Sequence, residues 1–231
     1  DNWTIGTSHN IGWDQYGGIG DGKMEFSANG GTTWQTIGSA YTPAAGDGSK
    51  TYSWAAGIDA AAARRISDTM LVRLSNVEAD SDLQLTSSSA GFKVRPSVST
   101  ISSPTGVSVW NVGTTQTVTW VANSGQKWSG SAWIEPKVKL EYAVDGGSLT
   151  SVSGGGNLDS VNGTNNYSWV GVADERSATG VTLRVAYLDH PTDRYLDSAT
   201  FQIRPTITTS LSPNPTSSSP LGLVAGANYT N

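Results

Sequence analysis

The sequence has no cysteine in its 231 residues, which removes disulfides, thiolate metal sites and cysteine nucleophiles together. Histidine occurs only at His9 and His190, and no Ser-His-Asp pattern accompanies either one. Charge is sparse, at 14% Asp, Glu, Lys and Arg with a net of −5. The 14 Lys and Arg are scattered, so the basic stripe that a phosphate backbone needs is lacking and nucleic acid is not an expected partner. No apolar run approaches the ~20 residues that cross a bilayer, so membrane insertion within this segment is not expected. Lys, Glu and Leu are scarce while Gly, Ser, Thr, Val, Trp and Tyr abound, a balance that favours strands and tight turns and predicts almost no helix.

What is present is a repeat. Trp3-Thr-Ile-Gly6 through Trp13 matches Trp110-Asn-Val-Gly113 through Trp120, with both tryptophans and the glycine in register. Lys23-Met-Glu25-Phe26 leading to Asn29-Gly30-Gly31 matches Lys139-Leu-Glu141-Tyr142 leading to Asp145-Gly146-Gly147. Tyr52-Ser53-Trp54 then matches Tyr167-Ser168-Trp169, Val72-Arg73-Leu74 matches Leu183-Arg184-Val185, and Phe92 to Pro96 matches Phe201 to Pro205. Five blocks in one order define a period of roughly 110 residues, near the ~100 of an immunoglobulin-type sandwich.

The expected organisation is a first repeat over 1–96, a second over 97–205 and the start of a third over 206–231. The first repeat has no counterpart of Ser97 to Val109, so it is expected to lack its first strand, and both ends read as cuts through a longer array. Within the blocks, Val138, Leu140 and Tyr142 alternate with Lys137, Lys139 and Glu141, as in half-buried strands. Asn29-Gly30-Gly31 and Asp145-Gly146-Gly147 carry the positive-φ signal of hairpin turns. The fold class predicted is therefore all-β: tandem immunoglobulin-like or fibronectin-like antiparallel β-sandwich domains. The paired tryptophans Trp3 with Trp110, Trp13 with Trp120 and Trp54 with Trp169 are expected in the cores, where each buries a large apolar surface.

Taken together, these blocks resemble the immunoglobulin-like repeats of large bacterial surface and secreted proteins, and are similar to the Ser-Thr-rich anchored cell-wall repeats of fungi. The resemblance implies a sandwich fold and a secreted or cell-surface location. It implies no catalytic residue at any position, and an enzyme is not expected.

Candidate sites are few. The second repeat carries about nine extra residues between Trp120 and Lys139, including Trp128 and Trp133, which have no partners in the first. With Tyr16 these are the candidate ligand or subunit contacts: aromatics in an added loop form a platform for sugar rings or a patch for a neighbour, or fold over the end of their own sandwich. Loop carboxylates form two positionally equivalent groups, Glu78, Asp80 and Asp82 in one repeat and Asp189, Asp193 and Asp197 in the other. Ca²⁺ is the cation such loops would take, although neither has the spaced Asp-x-Asp-x-Asp-Gly pattern.

Structural work in a surface layer, filament or adhesin stalk is the leading expectation, with neighbouring repeats and copies of the chain itself as partners. The alternatives are a glycan-binding module, and an accessory region of a hydrolase whose catalytic domain lies elsewhere.

Overall fold

The computed structural model describes residues 1–17, 21–41, 46–76, 86–172, 177 and 179–205. Every regular element among them is a strand. The first eight are β1 (Asn2–Thr4), β2 (Ser8–Gln15), β3 (Gly22–Ser27), β4 (Gln35–Tyr41), β5 (Gly48–Ala55), β6 (Arg65–Asn76), β7 (Thr86–Ser88) and β8 (Phe92–Arg95). They are followed by β9 (Ser97–Ser103), β10 (Val109–Asn111), β11 (Gln116–Asn123), β12 (Gln126–Trp128), β13 (Trp133–Ile134) and β14 (Lys137–Val144). The chain closes with β15 (Thr150–Ser151), β16 (Leu158–Asp159), β17 (Gly163–Trp169), β18 (Val181–Tyr187), β19 (Tyr195–Asp197) and β20 (Gln202–Arg204).

In the C-terminal half, β9, β11 and β17 form one antiparallel sheet. The facing sheet runs β15, β14, β18, β19, with β10 and β20 paired in parallel beside them. The N-terminal half repeats the plan: β2 pairs with β5, while β4, β3, β6 and β7 face them and β1 pairs with β8 in parallel. A first and a second strand on opposite sheets, with hairpins linking the facing one, is the wiring of an immunoglobulin-like sandwich. The chain is thus a tandem of such sandwiches.

Alternation explains which residues meet between the sheets. Val118, Trp120 and Ala122 of β11 point inward against Val138, Leu140 and Tyr142 of β14 and Leu183, Val185 and Tyr187 of β18, all in one buried cluster. A separate cluster gathers Ile5, Met24, Phe26, Trp54, Met70, Val72 and Val94. Trp54, Trp110, Trp120 and Trp169 are buried, as the repeat predicts, whereas Trp3 and Trp13 are half-buried at the margin. The hairpin glycines behave as their sequence signal implies: φ is +66° at Gly30, +92° at Gly31 and +74° at Gly146, and Asp145 itself reaches +50°. The Asp145 carboxylate then accepts hydrogen bonds from the backbone N–H groups of Thr179 and Gly180 at 2.7 and 2.9 Å, which ties this turn to the start of β18.

Candidate functional site at the joint between the sandwiches

One residue, Pro96, separates β8 from β9. Its ring fixes φ and restricts Arg95 before it to extended backbone, so the connection has little freedom of its own. The two cores are brought against each other by the extra segment of the second repeat. Gln126–Trp128 and Trp133–Ile134 form a small hairpin, closed by the Ser129 N–H donating to the Ala132 carbonyl at 2.9 Å. This arm reaches back to the first sandwich. There β12 pairs in parallel with β6, Gln126 beside Arg65 and Lys127 beside Ile66, so that β6 has β8 on one edge and the arm on the other.

Side chains lock the ladder. Arg64 donates from Nε to the Ser124 carbonyl at 2.7 Å, and the Gln126 N–H donates to the Arg64 carbonyl at 3.0 Å. Arg65 donates to Gln126 Oε1 at 2.9 Å while its guanidinium lies 4.5 Å over the Trp133 ring, a cation–π contact strengthened by partial desolvation. Burial lowers the Arg64 pKa, the expected direction for a cation withdrawn from water. From Ser124 the bonds run inward: its hydroxyl donates to the Ser160 carbonyl at 2.8 Å, and Ser160 Oγ lies 3.1 Å from the Tyr187 hydroxyl. Burial raises the Tyr187 pKa and keeps this end of the network neutral. Gly125 sits where the arm meets the first core; a Cβ there would come within 2.5 Å of Ile5 Cδ1 and 2.9 Å of the Arg64 carbonyl carbon.

Ion pairs span a second contact. Arg95 of β8 donates to Asp68 at 2.8 Å and to Asp193, on the loop between β18 and β19, at 2.8 Å. His190 Nε2 lies 3.4 Å from the other oxygen of Asp68, and Arg194 donates to Asn2 Oδ1 at 2.7 Å. Burial opposes ionisation of Asp68, but the Arg95 hydrogen bond and charge, with the charges of His190 and Lys93, outweigh it and hold the carboxyl below its usual value. A carboxyl whose folded value lies below its unfolded one stabilises the contact above the unfolded value, and that contribution disappears as pH falls through the folded one. The joint is therefore expected to keep its order at neutral pH and to loosen in acid below about pH 4, followed by interdomain NOEs; Asp68→Asn is expected to lack this acid-dependent step.

The sequence-derived candidates fall in different places. Trp128 and Trp133 meet edge to face at 5.2 Å within the arm, and Trp133 packs against the first core rather than its own. Tyr16 is 82% exposed and stands at the end of β2 beside Trp13 and Asn76, apart from the arm. Asp189 pairs with Lys127 at 2.6 Å, Asp193 with Arg95, and Asp197 with Arg184 through two bonds of 2.6 and 2.8 Å. Each of these carboxylates holds a protein cation, and among the described residues no three His, Asp or Glu side chains gather as a metal-ligand set. Glu78, Asp80 and Asp82 lie outside the described residues, as does the expected third repeat over 206–231. His9 stacks on Trp3 with ring centroids 4.1 Å apart, and His190 belongs to the joint. Sequence reasoning missed Arg64, Arg65, Ser124 and Gly125; the one signal available was the Ser129-Gly130-Ser131 turn flanked by Trp128 and Trp133, which marks a hairpin without saying where it docks.

No protein-family model matches the chain, and no curated protein matches it. Among solved structures it is similar to fibronectin(III)-like modules of Clostridium thermocellum CbhA, at 15% identity over 89% of this chain and 90% of that one, with a TM-score of 0.29. It is similar also to the titin immunoglobulin tandem A164-A165, at 10% identity over 89% and 93%, with a TM-score of 0.36.

Proposed function

We propose that the chain is a structural module of an extracellular protein, two immunoglobulin-like domains over 1–96 and 97–205 locked into one stiff segment, with a spacing task rather than a catalytic one. The observation that carries this reading is the arm. A tandem that needed only two independent binding domains would be served by a flexible linker; here a one-residue connection is reinforced by a strand pair, a cation–π contact and a bridge through Arg95. Energy committed to orientation is what a rod, stalk or lattice element requires. The likeness of the sequence blocks to bacterial surface and secreted repeats supports the same setting.

A glycan-binding role for Trp128 and Trp133 is less well served, because sugar stacking needs an open ring face and the guanidinium of Arg65 lies over one face of Trp133. Residual dipolar couplings test the proposal. A single alignment tensor fitting both sandwiches is the expected result, and two tensors of different orientation would show a flexible tether and sink the spacer reading.

A further inference from the structure

Two adjacent arginines at the joint carry charges that no described carboxylate neutralises. Arg73, Arg95 and Arg184 each form an ion pair, but among the described residues neither Arg64 nor Arg65 does. Arg65 directs its guanidinium to the Arg64 carbonyl, to Gln126 and to the Trp133 ring. Arg64 uses only Nε, bonded to the Ser124 carbonyl. Its two terminal nitrogens rest beside Gly6, where a Cβ would come within 3.0 Å of Nη2 and 3.5 Å of Nη1, and neither is among the buried polar atoms that lack a partner. They therefore reach water, at a cleft of about 380 Å³ whose lining includes Ser124, Gln126, Glu135 and Asn162. Arg184 is the contrast: the Asp197 hydrogen bond and charge raise its pKa, whereas burial alone acts on Arg64 and lowers it. A partly desolvated guanidinium with two coplanar donors open matches the two oxygens of a carboxylate.

We propose that this cleft binds a small hydroxy carboxylate, a hydroxy acid or a uronic sugar, with its carboxylate on Arg64 and its hydroxyl on Glu135. Ser124 assembles the anion end. Its carbonyl holds Arg64 Nε at 2.7 Å, and its N–H donates to Asn162 Oδ1 at 3.2 Å. That bond sets the orientation of the Asn162 amide and leaves its Nδ2 donor without a described partner. Nη1 and Nη2 of Arg64 and Nδ2 of Asn162 are thus open donors on residues bordering one cleft. The opposite charge is there too: Glu135 accepts from Gln126 Nε2 at 3.1 Å, and a carboxylate has acceptor sites to spare. Glu135 repels a bare anion, whereas a ligand with a hydroxyl beside its carboxylate donates to it, so hydroxy acids are selected over simple ones. The lining holds no aromatic side chain, so recognition is by charge and hydrogen bonds and not by ring stacking. The ligand also spans the joint, since Arg64 belongs to the first sandwich and Asn162 and Glu135 to the second. Binding needs the two docked, and by linkage an occupied cleft favours the docked state. The site rests on the seating of the arm, as the spacer reading does.

NMR titration of the isotope-labelled full chain with glycolate and with glucuronate tests the site, with acetate, glucose and sodium chloride as controls. Saturable shifts of the Arg64 Nε–H and Asn162 Nδ2–H signals are expected at millimolar concentrations of the hydroxy acids. Acetate is expected to bind about fivefold more weakly, and glucose and sodium chloride to give no saturable shift. The tighter of the two hydroxy acids distinguishes a free small acid from a sugar as the source. Asn162→Asp keeps an acceptor for the Ser124 N–H but exchanges the amide donor for a negative charge. It is expected to abolish the shift at Arg64, and Arg64→Gln to abolish the shift at Asn162, with the backbone signals of both sandwiches retained. Glu135→Gln is expected to remove the preference over acetate. A wild type without saturable shifts, shifts reproduced by sodium chloride, or binding that survives both Asn162→Asp and Arg64→Gln overturns the proposal. Acetate bound as tightly as the hydroxy acids overturns the assignment of the hydroxyl to Glu135. Absent shifts in a chain whose sandwiches share one alignment tensor discard the site and leave the spacer reading standing, whereas two tensors discard the docked joint on which both depend.

Discussion

Trp120→Ala is expected to destabilise the second sandwich by about 4 kcal/mol, while Trp13→Ala, the same change at the same strand position of the first, is expected to cost roughly 1–2 kcal/mol. Trp120 is fully buried between the sheets, in one cluster with Val138, Leu183 and Val185. Removing its side chain leaves a cavity that strands paired on both edges of β11 cannot collapse into. Its indole N–H has no acceptor among the described residues, so losing that desolvated donor offsets a small share of the cost. Trp13 is half-buried beside an open groove, and truncating it deepens a space that water already reaches. Domains of this size are stable by only about 5–15 kcal/mol, so the first substitution removes a large share and the second does not. Denaturant unfolding monitored by resolved NMR signals of each sandwich checks the difference. Equal losses would mean that the groove beside β2 is closed in solution.

Gly125→Val is expected to release the arm while leaving both sandwiches folded. The added Cβ would stand 2.5 Å from Ile5 Cδ1 and 2.9 Å from the backbone carbonyl carbon of Arg64. Neither can give way easily: Ile5 is buried in the first core and Arg64 is held by its bond to Ser124. Overpacking of this kind costs about 1–3 kcal/mol, and it falls on a ladder of only two residue pairs between β12 and β6. Expected outcomes are loss of interdomain NOEs between the arm and β6, two independent alignment tensors, and little change in the unfolding of either core. Gly156→Val is the control, since a Cβ there meets nothing within 4 Å. An unchanged joint in Gly125→Val would mean that the arm is not seated as described.

Self-similarity made most of the fold legible in the sequence. Each strand block carries its own alternation, and two copies of it separate strands from loops without any knowledge of long-range contacts. The hairpin turns were equally plain, because positive φ at Gly30, Gly31 and Gly146 is a local demand that local residues announce. The joint was not legible, for a physical reason. Arg64 and Arg65 meet Ser124 and Gln126 some 60 positions away, and the arm occurs in only one copy, so neither periodicity nor comparison between repeats reveals its destination. The acidic loop shows the same limit. Asp189, Asp193 and Asp197 read as a cluster along the chain, but each faces a cation delivered by a different strand, Lys127, Arg95 and Arg184.

The parallel pairs β1 with β8 and β10 with β20 have a mechanical consequence. Each joins an early strand of its sandwich to the last described one, so tension applied along the chain drags the two members past each other in opposite directions. The bonds of such a pair lie across the pull and must yield together, whereas those of a hairpin opened from its end break singly and in turn. Force entering at Asn2 therefore meets one sheared clasp in the first sandwich and a second beyond Pro96, and stretching requires rupture of whole ladders in succession.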